Sequence, residues 1–379
     1  MPALCGLRSK GMLMPEIQIT GTPGGLWERL RASCFYSPGA SVVSVVLGAV
    51  ILFVLCWFIK WAVLDAVWSA DVNACRKAAG ACWGFVTEKW RLIIFGRFPY
   101  ELQWRPALAT FIIVLMLVIS AVPSLWSHRG LRMLLWGWVA SFAAFFVLMI
   151  GGIFGLEEIS TDMWGGLPLT VILTLLGMAA SSPLGILLAI GRRSRLPIIS
   201  AVSTGYIELV RGVPLITVLF VAAFVFPLLM PEWMKVDAFW RVTIGITLFQ
   251  AAYMAETVRG GLQTIPRGQF AAARSLGLTE RQCYTSVILP QALVAIIPAF
   301  VNSLLSCFMD TSLVMVVSMY DLTGSLKLAL GDALWRPYFI EGYAFIVMVY
   351  FVSSFIISRY SQWLEGRLQG TKSRRTIQI

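Results

Sequence analysis

The residues able to do chemistry in this chain are few. Asp310, followed by Thr311 and Ser312, falls inside the apolar stretch Ala292–Met319. An ionisable group in such a stretch is costly to bury and marks a functional position by default. Two roles stay open for it: a substrate pathway lined by the carboxylate and the neighbouring hydroxyls, or a structural carboxylate satisfied by backbone amides at a helix interruption. Two acid–base couples also stand out, Glu208 with Arg211 and Glu256 with Arg259, each spaced to share one helix face. Each is either a gate or coupling pair, or an interfacial ion pair that contributes little by itself. Catalysis finds no support. No nucleophile has a base partner and His128 is the single histidine, so acid–base chemistry has little to work with. The seven cysteines contain no C-x-x-C and no metal-type cluster, which leaves no metal site to expect. No Gly-Lys dipeptide occurs, so no phosphate-cradling loop, ATP site or cofactor is expected on this chain.

Composition says what must position these groups. Hydrophobic residues make up 58% of the 379 and charged ones 13%, whereas soluble domains carry about 25% charged residues. With a mean hydropathy of +0.80, an ordinary soluble enzyme is excluded and spanning helices are the expected element. A formal charge of +11 would suggest nucleic acid as a partner of a soluble protein. Here it is the orientation signal of basic residues that flank hydrophobic segments, and the 15 tryptophans fit the membrane interfaces. About 20 apolar residues cross a bilayer, and eight stretches qualify: Ser41–Leu64, Pro106–Leu125, Leu131–Phe154, Leu167–Ile190, Ile198–Met230, Val242–Thr257, Ala292–Met319 and Tyr343–Ser358. The fifth is too long for one perpendicular helix and is interrupted by Gly212 and Pro214. Proline removes a backbone donor and clashes with the preceding turn, so an interfacial helix to about Arg211 and then a span are expected.

Sidedness follows from the bases. With both termini inside, the inner pieces collect Arg8, Lys10, Arg29 and Arg31, the 129–132 and 192–195 turns, the 259–281 loop and the end of the chain from Arg359. The outer loop 65–105 runs against this pattern with six bases, Arg76, Lys77, Lys89, Arg91, Arg97 and Arg105. Cys75 and Cys82 in that loop are open to pairing, if it faces an oxidising compartment, or to remaining thiols. Residues 1–40 carry no signal-peptide pattern and read as a retained soluble tail.

The most informative segment, Gly268–Pro290, lies between spans six and seven. Ala271, Ala272 and Ala273 favour a helix and present little bulk, so another surface can approach closely. Gly277 sits where that helix would stop in a left-handed cap, and Thr279 with Gln282 forms a capping-box pattern that starts a second short helix. Pro290 redirects the chain. Leu276, Leu278 and Tyr284 are then available to enter a groove on a partner.

At these residues the sequence resembles the integral membrane permeases of ATP-binding-cassette importers. Their EAA loop reads E-A-A, three residues, G, nine residues, I, one residue, L-P. Ala272, Ala273, Gly277, Leu289 and Pro290 fit this pattern, Val287 replaces the isoleucine, and Ala271 stands at the glutamate. Residues 208–215, 253–261, 265–269 and Asp310–Leu313 are similar to the polar amino-acid branch, although Met309 occupies a place that is commonly lysine. The resemblance covers about residues 167–365, and the extra N-terminal spans look like those of general L-amino-acid permeases.

The resemblance implies an all-α integral membrane protein of about eight transmembrane helices, whose C-terminal five form a type I importer permease core. It divides the chain into a cytoplasmic tail 1–40, accessory helices 41–160 with a periplasmic loop 65–105, a core 161–365 carrying coupling helices 269–285, and a tail 366–379. The implied function is ATP-driven import of polar L-amino acids across a bacterial inner membrane. Gly268, Ala272, Ala273, Leu276, Gly277, Leu278 and Pro290 would couple to the ATPase. Implied partners are two ATPase subunits, a second and different permease chain, a periplasmic amino-acid-binding protein and lipid, with no nucleic acid. The rival readings are a gradient-driven secondary carrier, for which no inverted repeat is visible, and a scaffold that transports nothing.

Overall fold

The computed structural model describes residues 34–231 and 236–376, which form helices and a two-residue strand. The tail before residue 34, including its four bases, and Lys235 lie outside the described residues. Two compact units are present, one ending at Ala66 and one beginning at Val67. In the first, α1 (Pro38–Ile59) starts with proline at its first position, behind Ser37, whose hydroxyl accepts from the Ala40 amide at 3.2 Å. No residue of α1 is buried. An apolar helix exposed all round needs lipid as its solvent.

The second unit holds α2 (Val72–Lys77), α3 (Gly84–Phe95), α4 (Trp104–Ser120), α5 (His128–Ile150), α6 (Gly166–Arg192), α7 (Pro197–Gly212), α8 (Leu215–Phe220) and α9 (Phe226–Leu229). There follow α10 (Ala238–Gln263), α11 (Arg267–Ser275), α12 (Glu280–Gln282), α13 (Leu289–Ala295), α14 (Ile297–Asp310), α15 (Leu322–Ala329) and α16 (Phe339–Thr376). Its centre is the pair α6 and α10. In a bilayer water does not drive helices together, so close van der Waals contact through small residues does. A side chain at Gly185 would put its Cβ 2.6 Å from that of Met254, and one at Gly177 would meet Ile246 at 2.7 Å.

Among the described residues, six helices are long and apolar enough to cross a membrane, and the broken pair α7 with Leu215–Leu229 makes a seventh. The pair bends by 103° at the expected place, beside Pro214. Helix α10 has 26 residues, about 39 Å at 1.5 Å each, and is long enough to be the eighth. It faces protein and accordingly carries polar residues inward, with Thr243, Thr247 and Gln250 all buried. The seventh stretch is not one straight helix. It comprises α13, α14 and a 3-10 run Thr311–Val317 that ends at Ser318 in the left-handed region, φ 64°.

Loop 65–105 is folded. Cys75 and Cys82 form a disulfide, which suits an oxidising compartment. Most of its bases are taken up by the fold. Arg91 lies 3.3 Å over the Tyr100 ring, Lys89 pairs with Asp332 at 2.9 Å, and Arg97 donates to the Asp162 carbonyl. Arg105 is fully buried and donates to the carbonyls of Leu148 and Glu157 at 2.6 and 2.8 Å. The excess of positive charge on this side therefore builds structure.

Replacing Gly185 by leucine is expected to destabilise the purified protein by about 1–3 kcal/mol through overpacking, read as a lowered Tm. An unchanged Tm would mean that α6 and α10 are not in contact there.

Candidate functional site

The elbow between α10 and α13 is built from local signals. Pro266 precedes α11, which ends in a Schellman turn: the Gly277 amide donates to the Arg274 carbonyl at 2.9 Å and the Leu278 amide to that of Ala273 at 3.3 Å. Gly277 has φ 72°, and a Cβ there would meet nothing within 4 Å, so backbone conformation alone calls for glycine. The capping box is complete, with Thr279 and Gln282 exchanging both bonds. Helix α12 then continues in a wider turn to Ile288 before Pro290.

The elbow shows one face and packs the other. Gly268, Ala272, Leu276, Gly277 and Pro290 are exposed, Leu276 by 80%. Ala273 is buried, while Leu278 and Tyr284 are half-buried and turned onto the core. Leu276 is thus the most open of the three apolar side chains, and Leu278 and Tyr284 keep only part of their surface free. Tyr284 stacks edge-on against Phe270, ring centroids 5.9 Å apart, which holds the two arms of the elbow together. Glu280 adds ion pairs to Arg274 at 2.9 Å and Arg195 at 3.4 Å, all exposed.

The two sequence couples merge into one cluster. The Glu256 carboxylate, 15% exposed, takes Arg259 at 2.7 Å, Arg192 at 2.5 Å and Arg211 at 3.7 Å. Glu208 pairs with Arg192 at 3.1 Å. Thus Glu208 and Arg211, three apart on one helix, reach to other helices. Arg192, which sequence spacing did not single out, is the link. It closes α6, and the cluster ties together the ends of α6, α7 and α10.

Asp310 ends α14, and its side chain makes no capping hydrogen bond to the 3-10 run that follows. The Thr311 hydroxyl donates to the Phe308 carbonyl at 2.8 Å and is buried, whereas Ser312 stays half-buried. Just beyond, Asp321, which the sequence reading missed, caps α15 by accepting from Gly324 at 2.8 Å and Thr323 at 3.2 Å. Burial pushes its carboxyl above the usual range despite these donors. An open apolar cavity of about 450 Å³ lies between the α7–α8 break and α10, lined by Val213, Thr217, Ile244 and Arg241 among others. None of the acids singled out lines it.

Residues 181–370 match the family of binding-protein-dependent transport system inner membrane components. The chain belongs to this family. It is a multi-pass inner-membrane permease subunit of a transporter. A relative from Escherichia coli, the inner membrane amino-acid ABC transporter permease protein YhdY, is 43% identical over 82% of this chain and 84% of its own. The glutamate/glutamine/aspartate/asparagine transport system permease protein BztC of Rhodobacter capsulatus is 33% identical over 83% of this chain and 88% of its own. A solved amino acid ABC transporter with histidines is 31% identical over 53% of this chain and 92% of that one, with a TM-score of 0.48.

The half-buried cluster should couple more strongly than an exposed ion pair. A double-mutant cycle of Glu256→Ala and Arg192→Ala, read by thermal unfolding, is expected to give about 1 kcal/mol or more. Additive effects would reduce the cluster to a surface decoration.

Proposed function

We propose that this permease subunit carries polar L-amino acids inward, driven by ATP hydrolysis on separate subunits that seat the 267–290 elbow. The elbow carries the reading. It combines a rigid glycine turn, a small-residue face and one prominent apolar side chain, Leu276, suited to a cleft on another protein. The relatives' names support an amino-acid cargo, and that of the Rhodobacter capsulatus relative supports polar ones. Sidedness follows from the bases: the elbow and both termini face the cytoplasm, and the disulfide-bearing loop faces the periplasm. Residues 161–365 are the permease core. Two ATPase subunits, a second, different permease chain and a periplasmic binding protein complete the importer.

Mechanically, closure of the ATPase pair displaces the elbow, which moves α10 and α13. Glu256, Arg259, Glu208 and Arg211 act with Arg192 as the inner gate, holding three helix ends together until that displacement parts them. Asp310 and Ser312 line the path, offering a carboxylate and a hydroxyl to a cargo with an ammonium group; the buried Thr311 holds the turn between them.

Vesicles containing the reconstituted complex are expected to take up amino acids with ATP and without an ion gradient; gradient-driven uptake by this chain without ATPase would overturn the proposal. A β-branched residue in the left-handed region costs about 1–2 kcal/mol. Gly277→Ile should therefore weaken ATPase co-purification roughly tenfold while membrane insertion persists, and normal co-purification would contradict the elbow's role. Asp310→Asn should alter uptake kinetics more than assembly. Unchanged kinetics would remove Asp310 from the path.

A further inference from the structure

Residues 67–102 form a cap that the transport mechanism above does not use. Their core is shared with the outer rim of the permease. Cys75, Cys82, Phe85 and Ile93 pack with Leu322 and Leu326 of α15. Contact is so close that a Cβ on Gly342 would stand 2.6 Å from the Leu326 side chain and 2.7 Å from that of Phe85. Inside this seam lies a buried acid. Glu341 is 6% exposed, in the first turn of α16, and accepts from the Cys82 amide at 2.8 Å. A buried carboxylate is tolerated only when its hydrogen bonds are made. The amide that satisfies this one is fixed from behind by the Cys75–Cys82 disulfide and by the bridge between Cys82 and Val67.

The rim repeats the pattern. Lys89 holds Asp332, keeping that carboxyl below its usual range, and the Arg97 guanidinium lies 4.9 Å over the Tyr320 ring. What the cap grips is the segment that runs directly from Asp310, through Ser318 and the strand Tyr320–Asp321, into α15. An apolar residue of similar size would fill the Glu341 site without the desolvation cost. An acceptor oxygen adds to this packing a directional bond between the last span and the cap, which an apolar residue would not make.

We propose that Glu341, locked onto the disulfide-held Cys82 amide, is a positioning residue that fixes α15 over the outer end of the Asp310 path. Cargo admission then depends on it and ATPase docking does not. The inference rests on the transport reading and adds the role of the cap.

The test uses the complete transporter in vesicles with Glu341→Leu and Glu341→Gln, measuring the KM and maximal rate of uptake together with hydrogen exchange of residues 322–329. Loss of this buried hydrogen bond should raise KM roughly tenfold in Glu341→Leu and speed α15 exchange, with ATPase co-purification unchanged. Glu341→Gln keeps an acceptor oxygen and should stay near wild type. An impermeant reductant applied to the cap side of the wild-type complex should reproduce the leucine phenotype. It decides the question if Glu341→Leu fails to assemble. Wild-type KM in Glu341→Leu, equal damage in both variants, or α15 exchange unaffected by reduction would overturn the brace. Absence of any ATP-driven uptake by wild type would overturn the transport reading instead, while the exchange measurement still decides the brace.

Discussion

The Glu256 carboxylate is the point on which the inner half of the molecule depends. Three guanidinium groups from three helices converge on two oxygens, and in a partly dehydrated site such attraction is several times stronger than in water. Arginine suits the task because its planar fork presents several donors at once and stays charged. Removing the acid would leave three like charges facing one another. Helix α10, which carries Glu256, runs on into the elbow within a few residues, so in the proposed mechanism a force applied at the elbow would reach this cluster first.

In that mechanism the rest of the fold would convert the local force into a collective one. Glycines along α6 bring its backbone against α10 with no slack, and tightly packed interfaces move between discrete arrangements more readily than they deform. At the other end of α6, Gly166 is equally constrained: a Cβ there would meet the Ile94 carbonyl oxygen at 2.0 Å. The cap therefore approaches the head of the same helix whose foot, Arg192, enters the ion cluster. Asp310 lies on α14, which packs against α6 and α10 in the core.

What the sequence revealed was local. Proline at position 214, the left-handed glycine at 277 and the Thr279–Gln282 box each act through their neighbours, and each produced the expected break, cap or helix start. Arg192 was invisible as a member of the ion cluster because its partners lie 16 and 64 positions away, and no spacing rule connects them. The seam between Cys82 and Glu341 spans 259 positions and left no trace for the same reason. The inward turn of Leu278 and Tyr284 depends on what the elbow packs against, which a helical pattern alone does not contain. Four of the six bases of loop 65–105 are held by the fold in a cation–π contact, an ion pair and carbonyl bonds, partnerships that their spacing in the chain does not show.

If the 267–290 elbow is a lever worked by a separate ATPase, its most exposed apolar side chain, Leu276, is where the two meet. A photo-crosslinker placed at Leu276 in the assembled transporter should yield an adduct with the ATPase subunit, in a yield that changes between nucleotide-free and ATP-trapped states. Labelling of that position from the periplasmic side, or crosslinks to lipid alone in every state, would contradict the account.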